Sequence, residues 1–559
     1  MDVGKLWVTI QYFHPYLAYR KDIDWDQALL DALPKIRAAA DPEGYAAAVN
    51  GMLATLHDPL TRAAVLPPDA NPFLQNETLR NEEGKIPNQR SRMHHGLSPS
   101  GFHSPFYYSG FVVKPSPGLV ETATVPLGAN AFAGVRLAEP VREGDHTAFL
   151  PQTDRPYAEP SYPSIEYRIL AAYRVWGAIH YFFAYKDLMD EDWDNLFADY
   201  LPKVIAAKDA REYHLTIADW ISYLSDSHAI VQSSELQEYF GTSFVGLRLR
   251  LIDKKPVITE ILDAEAQKAG VKPGDMVVKV DGENMGDRIK REANYISAST
   301  RQRLGYDVMQ RVLNGPESST AVLTIAGADG QAREVSLKRS NNYLQALRSQ
   351  RTGDVVKTLP NNIGYADLDR LQPGEVDGMF DKLRNTEAMI FDMRGVPHET
   401  ASAIAGRLTE KQNAQAAIIT GPIAMRPDLP RPGTETSTAS YFEIQTVPQS
   451  SQWKYKGKTI MLIDERTISG GEHAGLFFQA ANRTEFVGTP SAGADSEISN
   501  FVIPGGITIS FSGQDVRSPN GGALQRLGLQ PTVTVTPTIR GIRAGRDEVL
   551  EAALQYLSK

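Results

Sequence analysis

The chain has 559 residues, no cysteine and a formal net charge of −9. That length calls for about three or four separate cores, and the acidic balance argues against a nucleic-acid-binding surface. The missing cysteines exclude disulfides, thiolate metal sites and a cysteine nucleophile. No apolar run approaches the length needed to cross a bilayer. Met1-Asp-Val-Gly-Lys-Leu-Trp7 has no basic stretch leading into a long apolar one. The expectation is therefore a periplasmic or otherwise extracytoplasmic protein whose leader is absent from this chain, with a cytoplasmic protein as the alternative.

The first organising feature is an internal repeat. Residues 6–61 run from Leu6-Trp7 through Asp24-Trp25-Asp26 and Leu33-Pro34-Lys35 to Leu56-His57-Asp58-Pro59-Leu60. Residues 175–229 repeat them from Val175-Trp176 through Asp192-Trp193-Asp194 and Leu201-Pro202-Lys203 to Leu224-Ser225-Asp226-Ser227-His228. The offset is constant at 168 positions, from Trp25 to Trp193 and from Asp58 to Asp226. Apolar residues recur at three- and four-residue intervals, so each copy is expected as a small helical bundle, over 1–65 and 164–242. Ser227-His228 stands where the first copy has Pro59-Leu60. Any chemistry done by His228 is thus private to the second copy, although a satisfied loop histidine fits the same residue.

Between the copies, 66–163 reads as a polar loop followed by a small β region and a linker. Residues 66–105 are rich in Pro, Asn, Ser, Arg and Gly. Phe111-Val-Val-Lys and Ala133-Gly-Val-Arg-Leu are expected as strands, and Pro151 to Pro163 as the linker. His94-His95 lacks a third ligand at useful spacing, so no metal site is expected there. Nothing in the sequence asks for a cofactor.

Residues 243–340 form a further unit. Phe244 to Leu251 alternates with period two, and Pro256 to Ile261 follows as a second strand. Ala264 to Gly270 reads as a short helix with a glycine stop, then a Pro273-Gly274 turn, a strand and an Asp281-Gly282 turn. The pattern resembles a PDZ domain of the bacterial protease type. That resemblance implies a groove in which a peptide adds as an extra strand, with Gly246 and Leu247 at the loop that would hold its carboxylate.

From 341 to 559 strands and helices alternate, so an α/β core is expected. Ile460 to Ile463 is a buried strand, Asp464 to Thr467 a turn, and from Gly470 the apolar residues fall at helical spacing. Ser469 therefore sits where a strand passes into a helix. Such a position presents a hydroxyl backed by unpaired N–H groups, Gly470 first, as a nucleophile and its oxyanion require. An N-cap serine fits the same local pattern.

The order of these parts is similar to that of the carboxyl-terminal processing (tail-specific) proteases and their tricorn-core relatives. Leu224-Ser-Asp-Ser-His228, the PDZ-like stretch, Phe391-Asp-Met-Arg-Gly395, Thr467-Ile-Ser469-Gly-Gly-Glu472 and Val487-Gly-Thr-Pro-Ser-Ala-Gly493 carry the resemblance. It implies a multidomain α+β protein with helical bundle repeats, a PDZ-like β domain and a ClpP/crotonase-like α/β catalytic core. It implies Ser469 as nucleophile. The tail-specific branch has a lysine 25 residues after the serine; Ala494 stands there, so a Ser–Lys dyad is excluded at that place. The tricorn-like branch instead implies His228 as base with Ser227 orienting it. The acidic position of that pattern is occupied by Gln525, which leaves Asp495, Glu497 and Glu472 as unranked acids. The implied oxyanion hole uses Gly470 and a donor from Arg394-Gly395-Val396, with Gly395, Val396 and His398 open because Pro397 has no N–H.

The resulting expectation is a serine endopeptidase acting on polypeptide through an acyl-enzyme, without nucleic acid or transmembrane segment and compatible with a homo-oligomer. A peptide-binding scaffold with impaired catalysis and a serine hydrolase of non-peptide esters or amides are the alternatives.

Overall fold

A computed structural model describes residues 1–67, 85–88, 92–95, 107–109, 122–128, 130–137, 139–142, 150–348, 351–424, 427–428 and 438–559. The chain divides into two units. One comprises Met1–Trp220, Thr420–Tyr441 and Ile498–Gln514; the other Ile221–Ile419, Phe442–Glu497 and Asp515–Lys559.

In the first unit the repeated sequence forms helices Asp2–Phe13, Trp25–Ala38 and Pro42–Leu53, then Ile165–Phe182, Trp193–Ala206 and Ala210–Ser222, the last running two residues past Trp220. Asp24, Asp41 and Asp192 start three of them by accepting an N–H three residues on, at 3.0, 2.7 and 2.9 Å. The tryptophans that mark the repeat tie neighbouring helices together. Trp7 and Trp25 each donate the indole N–H to the other's carbonyl, at 3.2 and 3.1 Å, and Trp193 donates to Trp176 at 3.0 Å. Asp58 is buried and held by Arg136, Thr61 and His14, with Arg136 Nη2 at 2.8 Å.

Ala131–Arg136 is a strand as its alternation predicts, paired with Thr122–Gly128 and Arg62–Val65. The strand expected at Phe111 lies outside the described residues. Leu150–Thr153 pairs in parallel with Arg92–His95, so the stretch read as a linker begins inside a strand. That strand is the last of its sheet, where the missing N–H of Pro151 is tolerated. His94 lies on the paired strand, buried edge-on to the Tyr12 ring at 5.1 Å.

The second unit holds two sheets. The first is antiparallel, in the order Leu247–Ile252, Lys255–Ile261, Met276–Val280, Thr320–Ala326, Ala332–Lys338. Its alternate residues Leu247, Leu249, Ile258, Val277, Val280, Leu323, Ile325 and Leu337 bury one face. Helix Arg301–Met309 lies along the edge strand, with Gly305 so close to Leu251 that a methyl group there would fall 2.7 Å from its Cδ1.

The other sheet runs Val356–Leu359, Ile363–Asp367, Ala388–Asp392, Lys458–Ile463, Glu485–Gly488, Val533–Thr534. The first pair is antiparallel and the rest parallel. Its central strands are buried throughout, as parallel sheets covered by helices are. Helix Glu548–Leu557, capped by Asp547, packs Val549 and Ala553 on one face. In such sheets the carboxyl ends of the strands are where ligands bind, and Ser469 follows one of those ends.

Candidate active site

Ser469 joins the turn after strand Lys458–Ile463 to helix Gly470–Asn482. Its backbone has φ 53° and ψ −122°, a conformation that costs a non-glycine residue on the order of 1–3 kcal/mol. The hydroxyl makes no capping hydrogen bond to the helix it precedes, so the N-cap reading does not describe this serine. The Ser469 N–H is held by the Ala494 carbonyl at 2.8 Å. Among the described residues the Gly470 N–H, the first of the helix, has no partner.

An ion lattice lies at the strand ends that lead toward the elbow. Asp367, Asp392 and Asp464 end or follow three adjacent parallel strands and are buried. Arg394 binds Asp392 at 2.6 Å and Asp547 at 2.7 Å; Arg351 binds Asp367 at 2.6 Å; Arg466 binds Asp464 at 2.6 Å. Arg250, from the antiparallel sheet's edge strand, reaches Asp464 and Glu465 at 3.1 and 2.6 Å. Burial alone would raise Asp392 and Asp464, but the surrounding guanidinium groups hold both carboxyls below the usual range.

The turn Arg394–Pro397 lies beside the elbow. A methyl group on Gly471 would come 2.8 Å from the Gly395 carbonyl, and one on Gly470 3.9 Å from Pro397. Thr467 Oγ1 donates to the Met393 carbonyl at 2.7 Å. Of the candidate second oxyanion donors, the Gly395 N–H is bonded to Met393 O at 2.7 Å, and the Val396 N–H to Asp369 Oδ1 at 3.0 Å. Both are already engaged, and a methyl group on Gly395 would fall on Asp369 Oδ1.

Behind the elbow, Glu472 clamps the next turn. Its carboxylate accepts the Ser491 hydroxyl at 2.5 Å and the Gly493 and Ala494 N–H groups at 2.8 and 2.9 Å. Burial pushes its pKa up to about 7 against those donors, with Asp495 adding to the rise. Glu472 thus holds the turn that holds Ser469.

The loop that carries His228 is tied to this region through a second set of bonds. Ser227 and Ser299 exchange N–H and hydroxyl bonds, both at 2.9 Å. The next residue, Thr300, donates to the Ala492 carbonyl at 2.8 Å, and Gln302 to Ser491 O at 3.0 Å. The amino-terminal end of helix Arg301–Met309 therefore connects the 226–228 loop to the 491–495 turn. Ser227, expected to orient the ring, uses its hydroxyl on the Ser299 backbone. His228 is buried, which lowers its pKa, opposed by Asp226 and then Asp495, with Arg303 adding to the lowering.

Gln525 is 2% exposed. Its Nε2 faces Asp226 Oδ1 at 3.4 Å and Ser299 Oγ at 3.3 Å, and its Oε1 has no hydrogen-bond partner among the described residues. Asp495 is bonded through Oδ2 to His473 Nδ1 at 2.9 Å, and His473 Nε2 meets Gln445 Oε1 at 2.7 Å. Asp226, Ser299 and His473 join this region without a catalytic motif of their own. The repeat offered a signal for Asp226, because both copies keep an aspartate there; His473 stands one helical turn after Ser469.

Gly246 and Leu247 are placed at the start of the edge strand. The Leu247 N–H turns back to Val245 O at 2.7 Å, and the Gly246 carbonyl accepts from Leu262 and Asp263. Tyr343 lies against Gly246, and Arg248 caps the carbonyls of Ala346 and Leu347.

A strained serine elbow at the carboxyl edge of a parallel sheet, followed by a free helix-start N–H, marks a hydrolase of the serine class. Residues 362–535 match the model of peptidase family S41. The match covers under a third of the chain, and the chain is a serine peptidase. No curated protein matches the sequence. Among solved structures, mature CPAF complexed with lactacystin is 14% identical, with TM-score 0.52, covering 70% of this chain and 97% of that one. Mature CPAF in another crystal structure gives 13% identity, TM-score 0.53 and coverages of 70% and 96%. The photosystem II D1 C-terminal processing protease gives 15% identity, TM-score 0.40 and coverages of 68% and 98%. The CPAF likeness extends the agreement in fold beyond the S41 domain.

Proposed function

We propose that the protein is an endopeptidase in which Ser469 is the nucleophile and His228 the general base. The observation that carries this reading is the Ser469 backbone, held at φ 53° and ψ −122° with its hydroxyl unused as a cap. A strand-to-helix elbow of that conformation is where a nucleophilic serine is presented. His228 takes the Oγ proton as Oγ bonds to the scissile carbonyl carbon. The carbonyl oxygen becomes an oxyanion facing the Gly470 N–H. His228 then gives the proton to the amine nitrogen as the C–N bond breaks. Water repeats the sequence on the acyl-enzyme, losing a proton to His228, and the proton returns to Oγ when the acid leaves.

A second donor comes from the 394–398 turn. With the Gly395 and Val396 N–H groups already engaged, either His398 supplies it or substrate binding turns one of those two toward the oxyanion. The antiparallel sheet acts as a PDZ-type module. Its edge strand Leu247–Ile252 lies beside helix Arg301–Met309, a groove suited to an added polypeptide strand. The test is cleavage of an unfolded protein substrate by Ser469→Ala and His228→Ala variants. Both are expected to fold and to lose turnover; wild-type cleavage by either would remove that residue from the mechanism.

A further inference from the structure

Exposed apolar residues gather around the site. Among the described residues ten large apolar side chains are exposed, and Ile230, Val396, Ile444 and Leu527 each stand within two residues of His228, Gly395, Gln445 or Gln525. Phe442, 62% exposed, is the most exposed of the ten. We infer that the strand Thr438–Thr446 aligns the substrate. The polypeptide beside the scissile bond adds to its open edge and lays apolar side chains against Phe442 and Ile444, so that apolar stretches are cut in preference to polar ones. The inference rests on the reading of Ser469 as nucleophile.

The strand is tied to the catalytic helix. The Ser469 carbonyl accepts the His473 backbone N–H at 2.9 Å, and His473 Nε2 meets Gln445 Oε1 at 2.7 Å. His473 Nδ1 meets Asp495 Oδ2 at 2.9 Å. Both ring nitrogens thus face acceptor oxygens, an arrangement that the imidazolium satisfies. Burial opposes that charge, but Asp495 outweighs it and raises the pKa of the ring. The Gln445 amide keeps its oxygen toward His473 by donating Nε2 to Glu443 at 3.4 Å. The strand is therefore fixed to the helix one turn past the nucleophile, about 5.4 Å along the axis.

Side chains alternate across a strand. Glu443 and Gln445 share the face that meets His473, which leaves Phe442 and Ile444 together on the other face, both exposed. The strand ends its sheet: Gln415–Ala424 lies on one side, and among the described residues no strand lies on the other. Val447, just beyond its end, donates its N–H to the Ala414 carbonyl at 2.8 Å, so that neighbour accompanies it to the last residue. An open edge is a template for pairing, and proteins usually blunt it with charge, proline or a bulge. Here one face of the edge carries an aromatic and a β-branched side chain two residues apart. Backbone bonds at such an edge accept any sequence, while side chains at alternate positions select. An added strand would set its own alternate side chains beside Phe442 and Ile444, with Cβ atoms about 4.5–5.5 Å apart.

The test uses the full-length enzyme and two quenched-fluorescent peptides of equal length, one with leucine or valine at alternate positions and one with serine there. The wild type should cleave the apolar peptide with a kcat/KM about tenfold higher or more, chiefly through KM. Phe442→Ser/Ile444→Ser should reduce that preference to about threefold or less, whereas Phe442→Leu/Ile444→Val should keep it. Both side chains are exposed, so the substitutions should fold, and fluorophosphonate labelling of Ser469 reports the state of the nucleophile in each variant. The inference is overturned if the wild type cleaves neither peptide or both alike, or if the double-serine variant keeps the wild-type preference. A wild-type dimer in sedimentation equilibrium that the double-serine variant splits would also overturn it, by assigning the edge to a second copy of the chain. If instead Ser469→Ala cleaves the apolar peptide like the wild type, it is the assignment of the nucleophile that fails.

Discussion

Replacing Ser469 by glycine should stabilise the elbow while abolishing turnover, and replacing it by alanine should abolish turnover without that gain. At φ 53° and ψ −122° the penalty falls on the Cβ atom. Alanine keeps that atom and glycine removes it. Relief of about 1–2 kcal/mol is partly offset by glycine's extra freedom in the unfolded chain, about 0.5–1 kcal/mol. The net difference favours glycine over alanine by about 0.5–1 kcal/mol. The hydroxyl makes no cap bond, so alanine itself should lie within about 0.5 kcal/mol of the wild type. Hydrogen exchange of peptides covering strand Lys458–Ile463 and helix Gly470–Asn482 reads this locally. Exchange through cooperative opening should be about two- to fivefold slower in Ser469→Gly than in Ser469→Ala. Equal or faster exchange in the glycine variant would show that the elbow is not strained, and the argument from backbone conformation to nucleophile would fall.

Gly395→Ala should lose activity and stability together, because the new methyl group falls on the Asp369 carboxylate; thermal unfolding of Gly395→Ala/Asp369→Ala should recover most of the lost stability. Asp392→Ala takes from Arg394 its buried partner and from Arg351 one of its two buried carboxylates, and should cost about 3 kcal/mol in urea unfolding. Because the Asp392 carboxyl is held below its ordinary range, its contribution is present above the unfolded value near 4 and is lost as pH falls through the folded one. Glu472 has the opposite sign: its pKa is raised to about 7, so its contribution is complete below about 4.5 and is lost as pH rises through 7. Glu472→Gln turns an amide NH2 toward one of the donors now satisfied by the carboxylate and should unfold more easily. The melting-temperature gap to the wild type should be widest near pH 5 and narrow by pH 8.

The strand, turn and helix around Ser469 were legible because a short apolar run, polar turn residues and helical spacing follow one another without ambiguity. The repeat helices were legible because apolar residues recur at three- and four-residue intervals in both copies, although the capping aspartates at their starts were not singled out. Other features depended on distant partners. The Ser469 N–H is held by the Ala494 carbonyl, 25 residues further along the chain, a contact that no local pattern marks. Ser227 was expected on the imidazole, but a serine hydroxyl pairs as readily with a backbone N–H, and Ser299 lies 72 positions on. Pro151 read as linker because proline interrupts strands, yet the edge of a sheet accepts it. The excursions 420–441 and 498–514, which group with the first unit, carry no local mark of that membership. His473 looked like one more helix residue until Asp495 and Gln445 were found on its two nitrogens.

Mass-spectrometric mapping of fluorophosphonate labelling, in the wild type and in His228→Ala, tests the central claim most directly. The phosphonyl group should be found on Ser469 alone in the wild type, with labelling at least a thousandfold slower once the imidazole is gone, about the loss expected when a base is removed from a serine nucleophile. Modification of a different serine, or undiminished labelling of Ser469 in His228→Ala, would contradict it.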